Sequence, residues 1–230
     1  MPDEYKKSST SPDVARAPFR LSSSAVSPLW AIVIIVLLGL LAFGNTTLNG
    51  FVYDDCEVVE NSQLITTFRN IPILFSRSYF RYTPELSYRP VVTFTYFFDY
   101  ALFDGIPEGY HLVNVLIHLI NAVLVFYVLR ILIQFFCPPL PQRKNIISLF
   151  GALFFLLHPV VTEPVNLISY REDLLSTCFV LLSLMLYLSA LTATTKKPFI
   201  YPISWIIFLL ALLSKESAIT FPFMLLLLEH

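Results

Sequence analysis

Long apolar segments recur along this chain and constrain its fold more than any other feature. The first of them, residues 29–43, contains no charged side chain. Of the 230 residues, 56% are hydrophobic and 13% are charged, whereas soluble domains are roughly one quarter charged. One water-soluble core cannot enclose so many apolar side chains. The sequence therefore predicts an all-α protein that crosses a membrane several times.

The apolar segments predict a membrane domain over residues 28–229. Its six predicted spans cover about residues 28–44, 109–136, 145–158, 171–191, 199–213 and 217–229. The preceding residues 1–27 are polar, rich in Ser and Pro, and basic, which predicts a disordered cytosolic tail. This tail is long for a signal peptide, so the first span is interpreted as an uncleaved anchor.

The stretch 45–108 separates the first two predicted spans. Most of it is too polar to cross a membrane, and its apolar part, residues 88–104, is interrupted by Asp99. That part is also shorter than the roughly 20 residues of a span, so we predict a helix lying on the membrane surface. This assignment puts the basic connectors on the cytosolic side with the tail, as the positive-inside rule favours. Those connectors contain Arg143, Lys144, Lys196 and Lys197.

With this topology, the polar side chains that are unusual in so apolar a chain share one side of the membrane. They are Asp54, Asp55, Arg89, His111, Asn114, His118, His158, Glu163, Arg171, Lys215 and Glu216. Each has an ordinary explanation when taken alone, such as a turn-forming aspartate or a histidine bonded between helices. Charges near hydrocarbon usually pair or line a polar cavity. Their collection on one side therefore indicates a functional site.

The residue types at this site suit group transfer at a lipid–water boundary. A carboxylate can take the proton of an attacking alcohol, and cations can stabilise charge that develops on a phosphate. A lipid-linked phosphosugar donor fits this chemistry, with its lipid tail along the helices. The net charge of −1 indicates no nucleic-acid partner. The three cysteines have no metal-ligand spacing.

Several motifs resemble, in order and spacing, the transmembrane and TPR-containing protein O-mannosyltransferases of the GT-C class. They are Tyr53-Asp54-Asp55, Tyr88-Arg89-Pro90, Tyr110-His111-Leu112-Val113-Asn114 with His118, His158-Pro159 with Glu163-Pro164-Val165, Arg171-Glu172-Asp173-Leu174-Leu175 and Ser214-Lys215-Glu216. The resemblance covers about residues 50–229. It implies a GT-C-like helical bundle with a lumenal loop and an interfacial helix after the first span.

The resemblance also implies an activity and a location. Members of that family act in the endoplasmic reticulum membrane and transfer mannose from dolichyl phosphate mannose to Ser or Thr of proteins such as cadherins. Asp54 matches the acidic base, with Asp55 beside it, and the other polar residues named above are predicted to bind substrate. From their charge and side of the membrane, and not from the resemblance, Arg89, His111, Arg171 and Lys215 are assigned to the donor phosphate, and His158 and Glu163 to the sugar or acceptor. No cofactor is expected, and the paired aspartates leave a divalent metal open.

Two other functions remain open at the level of sequence. The family continues into TPR repeats, whereas these residues contain no 34-residue helical repeat. The alternative is therefore a non-catalytic truncated protein or membrane scaffold that lacks the TPR module. A transporter is disfavoured because the ionisable groups gather at one face and do not follow a path across the membrane.

Overall fold

The computed structural model of the chain describes residues 26–83, 87–136, 143–192 and 198–229. Within these ranges the ordered elements are α-helices and short 3-10 or π turns, which confirms the all-α prediction. The helices are α1 Pro28–Phe43, α2 Tyr79–Tyr82, α3 Pro90–Phe103, α4 Pro107–Phe136, α5 Lys144–Leu157, α6 Thr162–Asn166, α7 Arg171–Leu191, α8 Ile200–Leu212 and α9 Phe221–Glu229. The predicted basic tail, up to residue 25, and the connector with Lys196 and Lys197 lie outside the described residues.

Three of the described helices are long and apolar enough to cross a membrane, so the chain is a multi-pass membrane protein. They are α4, α7 and α1 with the 3-10 turn that follows it. The helix α5 and the segment Pro159–Asn166 make a further span if the 49° bend between them lies within one crossing. The fifth predicted span is the shorter helix α8, and the sixth is a 3-10 turn followed by α9. The count of six spans stays a prediction.

The helix α4 is the centre of the bundle and packs against α1, α5 and α7. Small residues lie where the helices meet, including Ala31 of α1, Ala122 of α4 and Ala152 of α5, each fully buried. Such residues let helix backbones approach closely inside a membrane. The pair α7–α8 is joined by Ser183 and Ser204, whose hydroxyls each donate to the other's backbone carbonyl at 2.9 Å.

The loop after α1 is more ordered than its polar sequence suggests. Its residues Leu64, Ile65, Leu74 and Tyr79 are buried and pack with residues of α3. Leu64 and Ile65 lie in irregular backbone, Leu74 in a 3-10 turn and Tyr79 at the start of α2. They therefore do not show the periodic spacing that makes a helix or strand visible in a sequence. The loop therefore forms a small apolar core of its own on α3.

The helix α3 is amphipathic in its burial. Tyr96 and Asp99 are buried, whereas Phe94, Phe98 and Leu102 are 39%, 47% and 73% exposed. An exposed apolar stripe on a helix of 14 residues suits a position in the membrane interface. The interfacial placement of α3 stays a prediction.

The side of the membrane on which each loop lies can be tested by cysteine labelling. In a chain whose natural cysteines are replaced by Ser, we expect Glu60→Cys and Glu163→Cys to react with a membrane-impermeant maleimide from one side of sealed vesicles. We expect Arg143→Cys to react only from the other side. All three side chains are exposed. Labelling of Glu60→Cys and Glu163→Cys from opposite sides would show that α3 crosses the membrane and would contradict the topology.

Candidate functional site

Connectors that are distant in sequence meet at the start of α7. The carboxylate of Asp55 accepts a hydrogen bond from the backbone N–H of Ser169 at 2.7 Å. The guanidinium of Arg89 pairs with Glu172, and the ammonium of Lys215 lies 2.7 Å from the Asp173 carboxylate. The loop after α1, the residue before α3 and the loop after α8 therefore converge on the first turn of α7.

The two adjacent aspartates have different environments. Asp55 is fully buried, and its carboxylate also accepts from the backbone N–H of Val52 at 3.4 Å. Asp54 is exposed and makes no side-chain hydrogen bond or ion pair with any described residue. The preceding Tyr53 has φ 49°, in the left-handed region that non-glycine residues rarely adopt. Asp55 thus fastens the loop to the turn before α7, and Asp54 is left available to solvent or substrate.

A cluster of five charged side chains lies beside this loop. Arg89 contacts Glu172 and lies 3.7 Å from Glu216, while Lys215 lies 3.2 Å from Glu172 and also contacts Asp173. Two cations therefore face three carboxylates, and the cluster is close to neutral. Within the described ranges, no three His, Cys, Asp or Glu side chains are grouped so that they could hold a metal ion.

The carboxylates of Asp173 and Glu172 stabilise the charged form of Lys215. Burial alone would lower the pKa of Lys215, but its hydrogen bond to Asp173 and the charges of Asp173 and Glu172 outweigh burial and raise the pKa above 10.5. A lysine whose pKa is higher in the folded state stabilises that state at pH values below the pKa of the unfolded chain. This stabilisation is lost as pH rises through the raised pKa of the folded state. Lys215 is therefore charged at physiological pH.

Arg171, predicted to bind the donor phosphate, is fully buried. Its guanidinium donates to Asn114 Oδ1 at 2.7 Å, to the Tyr110 carbonyl at 3.1 Å and to Thr95 Oγ1 at 3.1 Å, and pairs with Asp99. It also lies 4.7 Å from the centre of the Tyr96 ring. Burial raises the pKa of Asp99, and the charge and hydrogen bond of Arg171 oppose that shift. This network joins α3, α4 and α7, and a phosphate reaches Arg171 only if the network opens.

His111, Asn114 and His118 of α4 are spaced at i, i+3 and i+7, so they share one face of the helix, and all three are buried. Besides accepting from Arg171, Asn114 donates to the Leu167 carbonyl at 2.9 Å. A ring nitrogen of His118 lies 3.0 Å from the Leu156 carbonyl. Neither ring nitrogen of His111 has a hydrogen-bonding partner of ordinary geometry. Of the three, Asn114 therefore holds the connector before α7, and His118 contacts the end of α5.

The structure does not bring His158 and Glu163 into contact with the charged cluster. The Nδ1 atom of His158 accepts from the backbone N–H of Val160 at 3.2 Å and so caps a 3-10 turn. Glu163 is exposed and pairs with no described residue. Their assignment to sugar or acceptor binding stays a prediction, as do the other assignments of site residues to substrate.

A cleft opens between the aspartate loop, α3 and the first turn of α7. It encloses about 300 Å³ of atom-free space, part of it open to solvent. Its lining residues are Val58, Tyr79, Thr83, Arg89, Val92, Thr93, Tyr96, Ser169 and Glu172. The cleft places Arg89 and Glu172 next to the loop that carries Asp54.

Sequence reasoning missed two participants, Asp99 and Ser169. Asp99 could have been found, because an ionisable residue inside an apolar segment requires a partner of opposite charge. Ser169 carried no such signal, because a serine in a connector is ordinary.

Comparisons with known proteins agree with these motifs. The chain is 31% identical to human protein O-mannosyl-transferase TMTC4 over 215 residues, which are 87% of this chain and 29% of that protein. It is 34% identical to Drosophila melanogaster protein O-mannosyl-transferase Tmtc1 over 189 residues, 80% of this chain and 21% of that protein. It is 32% identical to Caenorhabditis elegans protein O-mannosyl-transferase F38B6.6 over 166 residues, 68% of this chain. The chain spans 29% of TMTC4 and less of the other two. No family model matches, and no solved structure matches significantly.

Proposed function

We propose that this chain, which belongs to the transmembrane and TPR-containing (TMTC) family of protein O-mannosyl-transferases, carries the membrane-embedded site for mannose transfer. The donor is dolichyl phosphate mannose, and the acceptor is a Ser or Thr hydroxyl of a protein in the lumen of the endoplasmic reticulum. The observation that carries the proposal is one carboxylate without a described partner, Asp54, on the loop beside a polar cleft and beside the cluster that contains Arg89 and Lys215. The names of the relatives supply the reaction class.

The proposed reaction is a single displacement at the sugar. Asp54 takes the proton of the acceptor hydroxyl as its oxygen attacks the anomeric carbon of mannose. The bond between that carbon and the phosphate oxygen breaks, and dolichyl phosphate leaves with the bonding electron pair. The sugar carbon is inverted. An exposed carboxylate without a partner suits this role, because no protein donor competes for its lone pairs.

The leaving phosphate is assigned to Arg89 and Lys215. Both are held by carboxylates, so an anion must displace one of them. The contact between Arg89 and Glu216 is the weakest of the cluster, at 3.7 Å with the Glu216 side chain 61% exposed. We assign Glu216 to this exchange, so that it leaves Arg89 when the donor arrives. Arg171 and Asn114 are proposed to position the start of α7, which bears Glu172 and Asp173.

A donor titration tests this assignment. We expect Arg89→Gln to raise the KM for dolichyl phosphate mannose by about 10–100-fold, because a charge-assisted hydrogen bond contributes roughly 1.5–3 kcal/mol. Lys215→Gln is expected to act in the same direction, and Lys215→Arg to restore most of the affinity. The measurement is transfer of labelled mannose to a Ser/Thr acceptor peptide by the chain in lipid vesicles.

Lys144→Gln is the matched control, since Lys144 bonds Gln134 and lies away from the cluster. Thermal unfolding of each variant separates loss of binding from loss of fold. An unchanged donor KM for Arg89→Gln would contradict the phosphate assignment.

A second function has one observation in its favour. The cluster is already neutralised by its own carboxylates, as in a network that only stabilises a bundle. Such a chain would be a membrane scaffold without transferase activity. Insertion and stable folding of the wild-type chain, without donor binding or transfer in the same vesicles, would support the scaffold.

A further inference from the structure

The hydroxyl of Ser169 is buried and has no hydrogen-bonding partner. The residue is 5% exposed, and its Oγ atom makes no hydrogen bond, although the residue lines the cleft. Buried hydroxyls in folded proteins nearly always have a partner. The backbone N–H of the same residue is held by Asp55 at 2.7 Å, so the backbone that carries this hydroxyl is fixed in place. An unpaired hydroxyl held in the wall of a cleft indicates that a ligand supplies the missing partner.

The lining of the cleft matches a neutral polyol better than an anion. Among its described lining residues, the charged side chains are Arg89 and Glu172, which pair with each other. Their charges offset each other in the cleft, whereas Lys215, the second cation assigned to the phosphate, is not part of its lining. Tyr79 and Thr93 add hydroxyls, joined to each other at 2.9 Å, and a hydroxyl oxygen in such a pair keeps acceptor capacity. Tyrosine rings and Val92 supply apolar surface against which the carbon face of a sugar ring can pack.

The position of the cleft also suits a sugar. Val58, on the turn that follows the aspartates, forms one part of its wall, and Ser169 is bonded to Asp55. A sugar ring in the cleft therefore lies beside the loop that carries Asp54.

We propose that this cleft binds the pyranose ring of the transferred sugar and that the Ser169 hydroxyl bonds one of the ring hydroxyls. The inference rests on the proposed function and adds to it a sugar-contacting residue that the motifs do not contain. Ser169 acts on the sugar end of the donor, whereas Arg89 and Lys215 act on its phosphate.

The test compares two probes that differ only in the sugar. In vesicles containing the full 230-residue chain, binding of dolichyl phosphate mannose and of dolichyl phosphate is measured by competition with a labelled donor. Ser169→Ala is expected to weaken binding of dolichyl phosphate mannose by about 3–10-fold, the loss of one neutral hydrogen bond, and to leave dolichyl phosphate unchanged. Ser169→Thr keeps the hydroxyl and is expected to retain most of the affinity for the mannosyl donor.

Ser148→Ala is the control, because Ser148 is fully buried with an unpartnered hydroxyl but belongs to α5 and does not line the cleft. It is expected to change neither affinity. Equal weakening of both probes by Ser169→Ala, or no change in either, would overturn the sugar subsite while leaving mannose transfer by the wild-type chain intact. A wild-type chain that binds neither probe and transfers no mannose would overturn the proposed function, and the subsite with it.

Discussion

Asp54→Asn is expected to lower the rate of mannose transfer by about 100- to 10,000-fold, the contribution of a positioned general base. The amide cannot accept the proton of the acceptor hydroxyl, and its size is nearly that of the carboxylate. Because Asp54 is exposed and makes no side-chain contact with a described residue, membrane insertion and thermal stability are expected to be unchanged. The measurement is kcat for labelled mannose transfer in vesicles, with unfolding temperature recorded on the same samples.

Asp55→Asn is the matched control one residue away. Asp55 is fully buried and accepts two backbone N–H groups, from Val52 and Ser169. An amide satisfies only part of this arrangement, so we expect a loss of about 1–3 kcal/mol of stability, the cost of an unsatisfied buried group. Activity is then expected to fall with the folded fraction. If Asp54→Asn retains transfer and Asp55→Asn abolishes it at unchanged stability, Asp55 is the base.

The long helices could be predicted from the sequence because an uninterrupted apolar segment has few other structures available in a membrane. The predicted span 171–191 coincides with α7, and 109–136 differs from α4 only at its first residues. The end of the chain was less predictable. Apolarity alone does not separate a continuous span from the 3-10 turn and short helix found over residues 216–229.

The outline of the site could be predicted from the topology, because the topology fixes which connectors share an end of the bundle. The structure brings together the connectors that contain Asp55, Arg89, Glu172 and Lys215. Burial could not be predicted, because it depends on contacts that topology does not specify. Asp54 and Asp55 are chemically identical neighbours, yet only the second meets the turn before α7. Likewise, Arg171 is fully buried and pairs with Asp99, a partner that the sequence does not identify.

Removing one member of the pair Asp99–Arg171 should destabilise the fold more than breaking any other charged contact among the described residues. We expect Asp99→Leu to destabilise the chain by about 3–5 kcal/mol, because it leaves a fully buried guanidinium without its counter-ion. Arg171→Met is expected to cost a similar amount by leaving Asp99 unpaired. Thermal unfolding in detergent measures both, and Arg130→Met is the control, since Arg130 lies over the rings of Phe126 and Tyr127 and belongs to the other end of α4.

The double variant distinguishes two roles of the pair: stabilising the fold and positioning the first turn of α7. Replacing both members of a buried ion pair by apolar side chains is often neutral or stabilising. The double variant Asp99→Leu with Arg171→Met should therefore recover most of the stability lost by either single change.

The double variant should not recover donor binding. The guanidinium also bonds Asn114 and the Tyr110 carbonyl, and without it the first turn of α7, where Glu172 and Asp173 hold Arg89 and Lys215, loses its bonds to α4. Recovered stability with an unchanged donor KM would show that the pair serves the fold alone. Additive losses in the double variant would show that the two side chains do not act as a pair.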